Sequence, residues 1–112
     1  MKIAVSVSKL DVGADFEPRF GRAVAFVIVD ENTGEQQAVI NPAAMLASGA
    51  GIRAAEFLIR QEVEVIISGA FGPKAQDVLC AAGLRLYQAN EGIASELLER
   101  LRNDELEAVG GN

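Results

Sequence analysis

Residues 23–41, AVAFVIVDENTGEQQAVIN, contain an apolar run, a turn and a return. Ala23 to Asp30 is apolar almost throughout and reads as a central strand covered on both faces. Asp30-Glu31-Asn32-Thr33-Gly34 carries turn chemistry, and Glu35 to Asn41 comes back as a second strand, so the pair forms an antiparallel hairpin. Ahead of it, Ile3 to Ser8 (IAVSVS) is a short β-branched strand. The residues between, 9–22, include Gly13, Pro18 and Gly21 and read as an irregular loop.

Beyond the hairpin the period of the apolar pattern changes. Asn41-Pro42 opens a loop of small residues that ends in Ser48-Gly49-Ala50-Gly51. A helix follows at about residues 51–61, with Ile52, Ala55, Leu58 and Ile59 on one face. Val63 to Ser68 is a fourth strand, and Pro73 suits the first turn of a second helix. Ala75, Val78, Leu79 and Ala82 form that helix's core face and Gly83 its cap. Leu84 to Tyr87 is a fifth strand; residues 92–102 form a last helix packed through Ile93, Leu97, Leu98 and Leu101. The order β-β-β-α-β-α-β-α predicts an α/β fold in one domain, residues 1–102, with 103–112 a flexible C-terminal tail. A three-strand meander followed by right-handed crossovers gives a five-stranded mixed sheet of order 3-2-1-4-5 with about three helices, the ribonuclease-H-like arrangement.

Composition narrows the chemistry. The chain has 112 residues, half of them apolar, yet no apolar run approaches the roughly 20 residues that span a bilayer. The first strand starts directly after Met1-Lys2 without a secretory leader, so the expected location is the cytoplasm, with no membrane partner. The single cysteine, Cys80, fits a reducing compartment and cannot form an internal disulfide. Histidine is absent, which removes the commonest general base and, with it, Cys-His and Ser-His catalysis. The expectation is a binding protein and not an enzyme. A net charge of −6 argues against nucleic acid as a partner. The acidity is concentrated late: residues 91–112 hold six acids and two bases, residues 1–90 ten acids and eight bases.

In the predicted topology strands 1, 3, 4 and 5 run one way and strand 2 runs back. The segments after Ser8, before Ala23, after Asn41, after Ser68 and after Ala89 therefore meet at one end of the sheet. Lys9, Arg19, Arg22, Arg53 and Lys74, five of the eight bases in residues 1–90, fall in or beside them. So do two glycine-rich helix starts, Ser48-Gly49-Ala50-Gly51 and Ser68-Gly69-Ala70-Phe71-Gly72-Pro73-Lys74. Helix N-termini expose unpaired amides and partial positive charge, which makes both candidate anion cradles; each taken alone also reads as an ordinary helix start. Phe16, Phe20 and Phe71 lie in the same loops, as lids over a ligand or as anchors that pack the loops down. Other chemistries fail on the residues. Gly49-Ala50-Gly51-Ile52-Arg53-Ala54 matches a dinucleotide fingerprint, but its loop is long and the next strand ends in Ser68, not an acid. No P-loop motif is present, and strand 1 has no carboxylate for a metal-dependent nuclease. Cys80 sits off its helix's core stripe and midway along it, which reads as a structural or flank position ahead of a metal ligand.

Several short motifs in fixed order are familiar: MKIAVSVS at the start, Phe20-Gly21-Arg22, Asn41-Pro42, Gly49-Ala50-Gly51-Ile52, Ser68-Gly69-Ala70-Phe71-Gly72-Pro73-Lys74-Ala75, and Ala81-Ala82-Gly83-Leu84 with Tyr87. Over residues 1 to about 102 the chain resembles the dinitrogenase iron-molybdenum cofactor biosynthesis family, including its molybdenum–copper "orange protein" subgroup. The resemblance implies non-enzymatic binding, storage or transfer of an anionic molybdenum-containing metal–sulfur cluster, either a Mo–Cu sulfide or an iron–molybdenum cofactor precursor. Family members often place histidines before Phe-Gly-Arg or in the Asn-Pro to Gly-x-Gly loop. Here those positions are Arg19 and Ala43 to Ser48, so imidazole ligation is impossible and noncovalent capture by backbone amides and Arg or Lys is expected. The residues expected at the cluster are Ser8, Lys9, Arg19, Phe20, Gly21, Arg22, Asn41, Gly49, Gly51, Arg53, Gly69, Phe71, Gly72 and Lys74. Cluster donor and acceptor proteins are the implied partners of a monomeric carrier. The alternative is a protein–protein interaction module that uses the same glycine-rich end as its docking surface.

Overall fold

The computed structural model describes residues 1–110. Its elements are β1 (Lys2–Val7), a 3-10 turn (Phe20–Arg22), β2 (Ala25–Asp30), β3 (Gln36–Ile40), α1 (Ala50–Arg60), β4 (Val65–Ser68), α2 (Pro73–Ala81), β5 (Arg85–Gln88), α3 (Ala94–Arg102) and β6 (Glu107–Val109). The sheet is mixed, with order β3-β2-β1-β4-β5-β6. β1 pairs antiparallel with β2 and parallel with β4, and β5 continues the parallel run. The hairpin, the three helices and the order of the first five strands follow the sequence reading.

One expectation is corrected. The sheet has six strands, not five, because residues assigned to a flexible tail supply β6, which pairs antiparallel with β5 from Leu86↔Val109 to Gln88↔Glu107. β5 would otherwise be an open edge of unpaired backbone groups, and three residues of β6 close most of it. Gly111 and Asn112, the end of that expected tail, lie outside the described residues.

Strict alternation along the central strands sorts side chains to two cores. Ala4, Phe26, Ile28, Ile66 and Leu86 face α1 and α2, where Ala54, Ala55, Leu58, Ala75 and Leu79 meet them. Ile3, Val5, Val7, Ala25, Val27, Val29, Val65 and Ile67 face the other way onto Ala94, Leu97 and Leu98 of α3. Both helix starts expected to bind a ligand therefore lie on one side of the sheet.

Two fully buried serines interrupt the apolar alternation at the ends of neighbouring strands, Ser6 on β1 and Ser68 on β4. Ser6 Oγ lies 2.7 Å from the Glu17 carbonyl and 2.8 Å from Ser68 Oγ. A carbonyl only accepts, so the Ser6 proton goes to Glu17 O and Ser68 donates to Ser6. Glu17 N also donates to Ser6 O, while Gly69 N and Ala70 N both donate to Pro18 O. The loop after β1 is thus bonded down across the strand ends. Gly69 is part of that bonding, since a Cβ there would stand 2.7 Å from the Pro18 Cα and carbonyl oxygen. Ser6→Ala should destabilise by about 1–3 kcal/mol, because both Glu17 O and the Ser68 hydroxyl lose a partner. Ser68→Ala removes only one donor and should cost less. Urea denaturation of the two variants and their double mutant checks that order.

Candidate functional site

A cleft of about 510 Å³ opens at the end of the sheet where β1, β3, β4 and β5 finish. Its walls are the Phe20–Arg22 turn with Arg19, the first turn of α1 with Gly49, and the segment from Ala70 into the first turn of α2. Three backbones converge there because side chains are missing where they touch. A Cβ on Gly21 would lie 2.8 Å from Gly51 N and 2.9 Å from Gly51 Cα, and one on Gly51 would lie 3.3 Å from the Ala75 Cβ. Phe20 forms the floor, 1% exposed, with its ring 5.2 Å from Phe71 and 5.5 Å from Phe26. Phe16, Phe20 and Phe71 are all buried, which makes them anchors of the loops and not lids.

The helix starts at this cleft are open. The N-caps are Gly49 and Gly72, at φ 74° and 78°, and neither has a side chain to accept from the first-turn amides. No acidic residue lies in either first turn. Among the described residues, the N–H groups of Gly51, Ile52, Lys74 and Ala75 donate to no other segment of the chain. The contrast is α3, where the Glu96 carboxylate occupies the helix start by accepting from Ile93 N at 3.0 Å. Arg19, Arg22 and Lys74 add three positive side chains to the cleft, and no carboxylate lines it. A depression of similar size on α3, about 520 Å³, is lined by Glu91, Glu96, Glu99 and Arg100 and would repel an anion.

The three cations are placed differently. Arg19 is held by Glu17, with Nε 3.1 Å from Oε2 and its backbone N donating to the same oxygen at 2.9 Å. Arg22 Nη1 donates to the Ala44 carbonyl at 3.0 Å and the Leu46 carbonyl at 2.6 Å, tying down the loop before α1. Lys74 makes no ion pair among the described residues.

Of the residues expected at the cluster, the structure gathers Arg19, Phe20, Gly21, Arg22, Gly49, Gly51, Phe71, Gly72 and Lys74 around this cleft. It does not bring five others there. Ser8 and Lys9 line a separate depression with Asp11 and Asp15. Asn41 is buried behind the wall, where Nδ2 donates to Gly21 O and Ala23 O and Oδ1 accepts from Ala43 N. Arg53 points off α1 and pairs with Glu56 at 3.5 Å. Gly69 is packed under Pro18. The cleft also includes Ala50, Ala70 and Pro73, which belong to the two expected cradles without having been singled out, and Ile52 and Ala75, which the sequence reading assigned only to core faces because apolar residues carry no charge signal. Cys80 is an exposed thiol on the last turn of α2, beside Gly110 and the β5–β6 edge, not in the cleft. Among the described residues no group of three or more His, Cys, Asp or Glu could hold a metal ion.

The Arg19 hydrogen bond holds the Glu17 carboxyl below the usual glutamate range, against a smaller opposing effect of burial. A lowered carboxylate pKa adds stability above about pH 4.3, and that contribution is lost as pH falls through the lowered value. In Arg19→Ala the Glu17 pKa should rise into or above the ordinary range, read by NMR titration of its side-chain carboxyl, and the variant's loss of stability should be full at neutral pH and shrink as pH falls through the Glu17 titration.

The model of the dinitrogenase iron-molybdenum cofactor family matches residues 1–104. Among solved structures, the apo form of the orange protein from Desulfovibrio gigas is 35% identical, with a TM-score of 0.91 over 98% of this chain and 93% of that one. A Thermotoga protein solved by NMR is 26% identical, with a TM-score of 0.85 over 99% of this chain and 97% of that one. A Methanocaldococcus jannaschii protein at 15% identity shares the fold, with a TM-score of 0.72 over 100% of this chain and 97% of that one. A comparison with curated proteins gives no match. The matched span and these likenesses place the chain in one family: it belongs to the dinitrogenase iron-molybdenum cofactor family.

Proposed function

We propose that this protein binds and carries, without catalysing a reaction on it, an anionic molybdenum-containing metal–sulfur cluster. The observation that carries the reading is the cleft: two helix starts with uncapped amides, three cations and no carboxylate, in a chain without histidine. Such a donor set suits an anion that arrives with its own sulfides, because amides and guanidinium hydrogen-bond to sulfide and oxide but do not ligate metal. The cluster is cargo, held noncovalently, with Gly51, Ile52, Lys74 and Ala75 offering backbone N–H groups and Arg19 and Lys74 the nearby charge. Molybdenum comes from family membership; copper or iron is its partner metal. In this reading the frame is ribonuclease-H-like without nuclease chemistry, since β1 carries no acid.

Cargo must be handed on, and the surface around the cleft suits contact with donor and acceptor proteins. All six large apolar side chains that are exposed among the described residues (Leu10, Val12, Val24, Ile40, Met45 and Leu46) lie in segments at this end of the sheet. No helix is long and apolar enough to cross a membrane. We read the protein as a cytoplasmic, monomeric carrier. The same apolar side chains favour a second reading, a docking module without cargo, which predicts metal-free protein at every stage of purification.

Anaerobic incubation with tetrathiomolybdate and copper, followed by desalting, should give a coloured protein with stoichiometric molybdenum. Replacing Arg19 and Lys74 by alanine should weaken retention by about tenfold each, the scale of one charge-assisted contact. Cys80→Ser should retain metal as the wild type does. A protein that stays colourless, or a cluster lost only in Cys80→Ser, would overturn the proposal.

A further inference from the structure

The rim loop from Pro42 to Ser48 has little hold of its own. Its internal backbone bonds are Leu46 N to Ala43 O at 3.1 Å and Ala44 N to Asn41 O at 3.5 Å, the second at the limit of a hydrogen bond. Its larger side chains face outward: Met45 is 94% exposed and Leu46 37%. Asn41 and the buried Ala43 fix its first residues, and α1 fixes its end. The stretch between is joined to the body by Arg22, whose Nη1 donates to the carbonyls of Ala44 and Leu46, on either side of Met45. Arg22 has no carboxylate partner among the described residues. Both Nη1 hydrogens are therefore directed at the loop, not into the cleft.

We propose that Arg22 is a positioning residue: a strap that pins the rim loop and so shapes the cleft's α1 side, leaving Arg19 and Lys74 as the side chains that meet the anion. The inference rests on the anion-binding reading for its consequence but not for its geometry. A planar guanidinium presents two hydrogens on one nitrogen in fixed directions, and so reaches two carbonyls two residues apart. A lysine ammonium on a shorter, flexible stem conserves charge but not that fork. Arg22→Lys thus separates the two roles. As an anion contact, Arg22 would be replaced adequately by lysine; as a strap, it would not.

The test uses the full chain, metal-free and then exposed to tetrathiomolybdate. In Arg22→Lys, 15N relaxation should show the order parameters of Ala44, Met45 and Leu46 falling from about 0.85 toward about 0.6, with β1 and β4 amides unchanged. Tetrathiomolybdate retention should fall as far in Arg22→Lys as in Arg22→Ala, with the salt dependence of binding close to wild type in Arg22→Lys. In Lys74→Ala that salt dependence should become shallower. Unchanged loop order parameters in Arg22→Lys would overturn the strap, as would wild-type retention in that variant. If the wild type itself fails to retain tetrathiomolybdate, the carrier reading fails, and the relaxation data still decide the strap. If Arg22→Ala does not fold, Arg22→Lys decides alone.

Discussion

Gly21 has no room for a methyl group, because the backbone of Gly51 passes where its Cβ would stand. That single close approach lays the Phe20–Arg22 turn against the first turn of α1. Gly51 in turn lets α1 approach Ala75 of α2, so three segments far apart in sequence share one opening. Buried groups hold the arrangement from behind. Asn41 ties the turn to the end of β3, the Ser6–Ser68 pair ties the loop before it to β1 and β4, and Phe20 fills the space beneath. An alanine at Gly21 would act on the cleft's geometry before it acted on any ligand contact.

The net charge of −6 describes the cleft badly. What an anion meets is local: amides that no side chain caps, Arg19 and Lys74, and the positive ends of two helix dipoles that converge where Gly51 meets Ala75. No carboxylate lines the cleft: Glu17 reaches Arg19 from outside it, and many of the other acids lie on α3, at the β2–β3 turn and in the segment entering β6. Glycine at both N-caps is the decisive choice. A Ser, Thr, Asp or Asn N-cap would accept from the first-turn amides and close the site from within the chain; on α3 a carboxylate, Glu96, sits at the helix start and accepts from the N-cap amide of Ile93.

Much of this was legible in the sequence, for physical reasons. β-branched runs and 3.6-residue periodicity fixed the order of the first five strands and the three helices, and topology then gathered the glycine-rich turns at one end. What escaped detection depends on the other side of a contact. Glu107-Ala108-Val109 has no strand signal of its own and becomes β6 only because β5 offers an unpaired edge. Asn41 and Gly69 stood out as ligand-facing types, yet one caps backbone carbonyls and the other makes room for Pro18. Lys9 shares the sheet end but not the cleft, since knowing the end does not reveal which side of the sheet a loop covers. Arg53 follows the right turn but faces away, toward Glu56 one helical turn on. The cleft's own Ala50, Ile52 and Ala75 are silent as residue types and contribute through their backbones.

The central claim is that open helix starts, not a thiol, receive the anion. Amide NMR of 15N-labelled metal-free protein during titration with tetrathiomolybdate tests it most directly. The largest shifts should fall on Gly49 to Ile52 and Phe71 to Ala75, at the first turns of α1 and α2. Shifts centred on Cys80, Tyr87 and Gly110, or none at the two helix starts, would contradict the account.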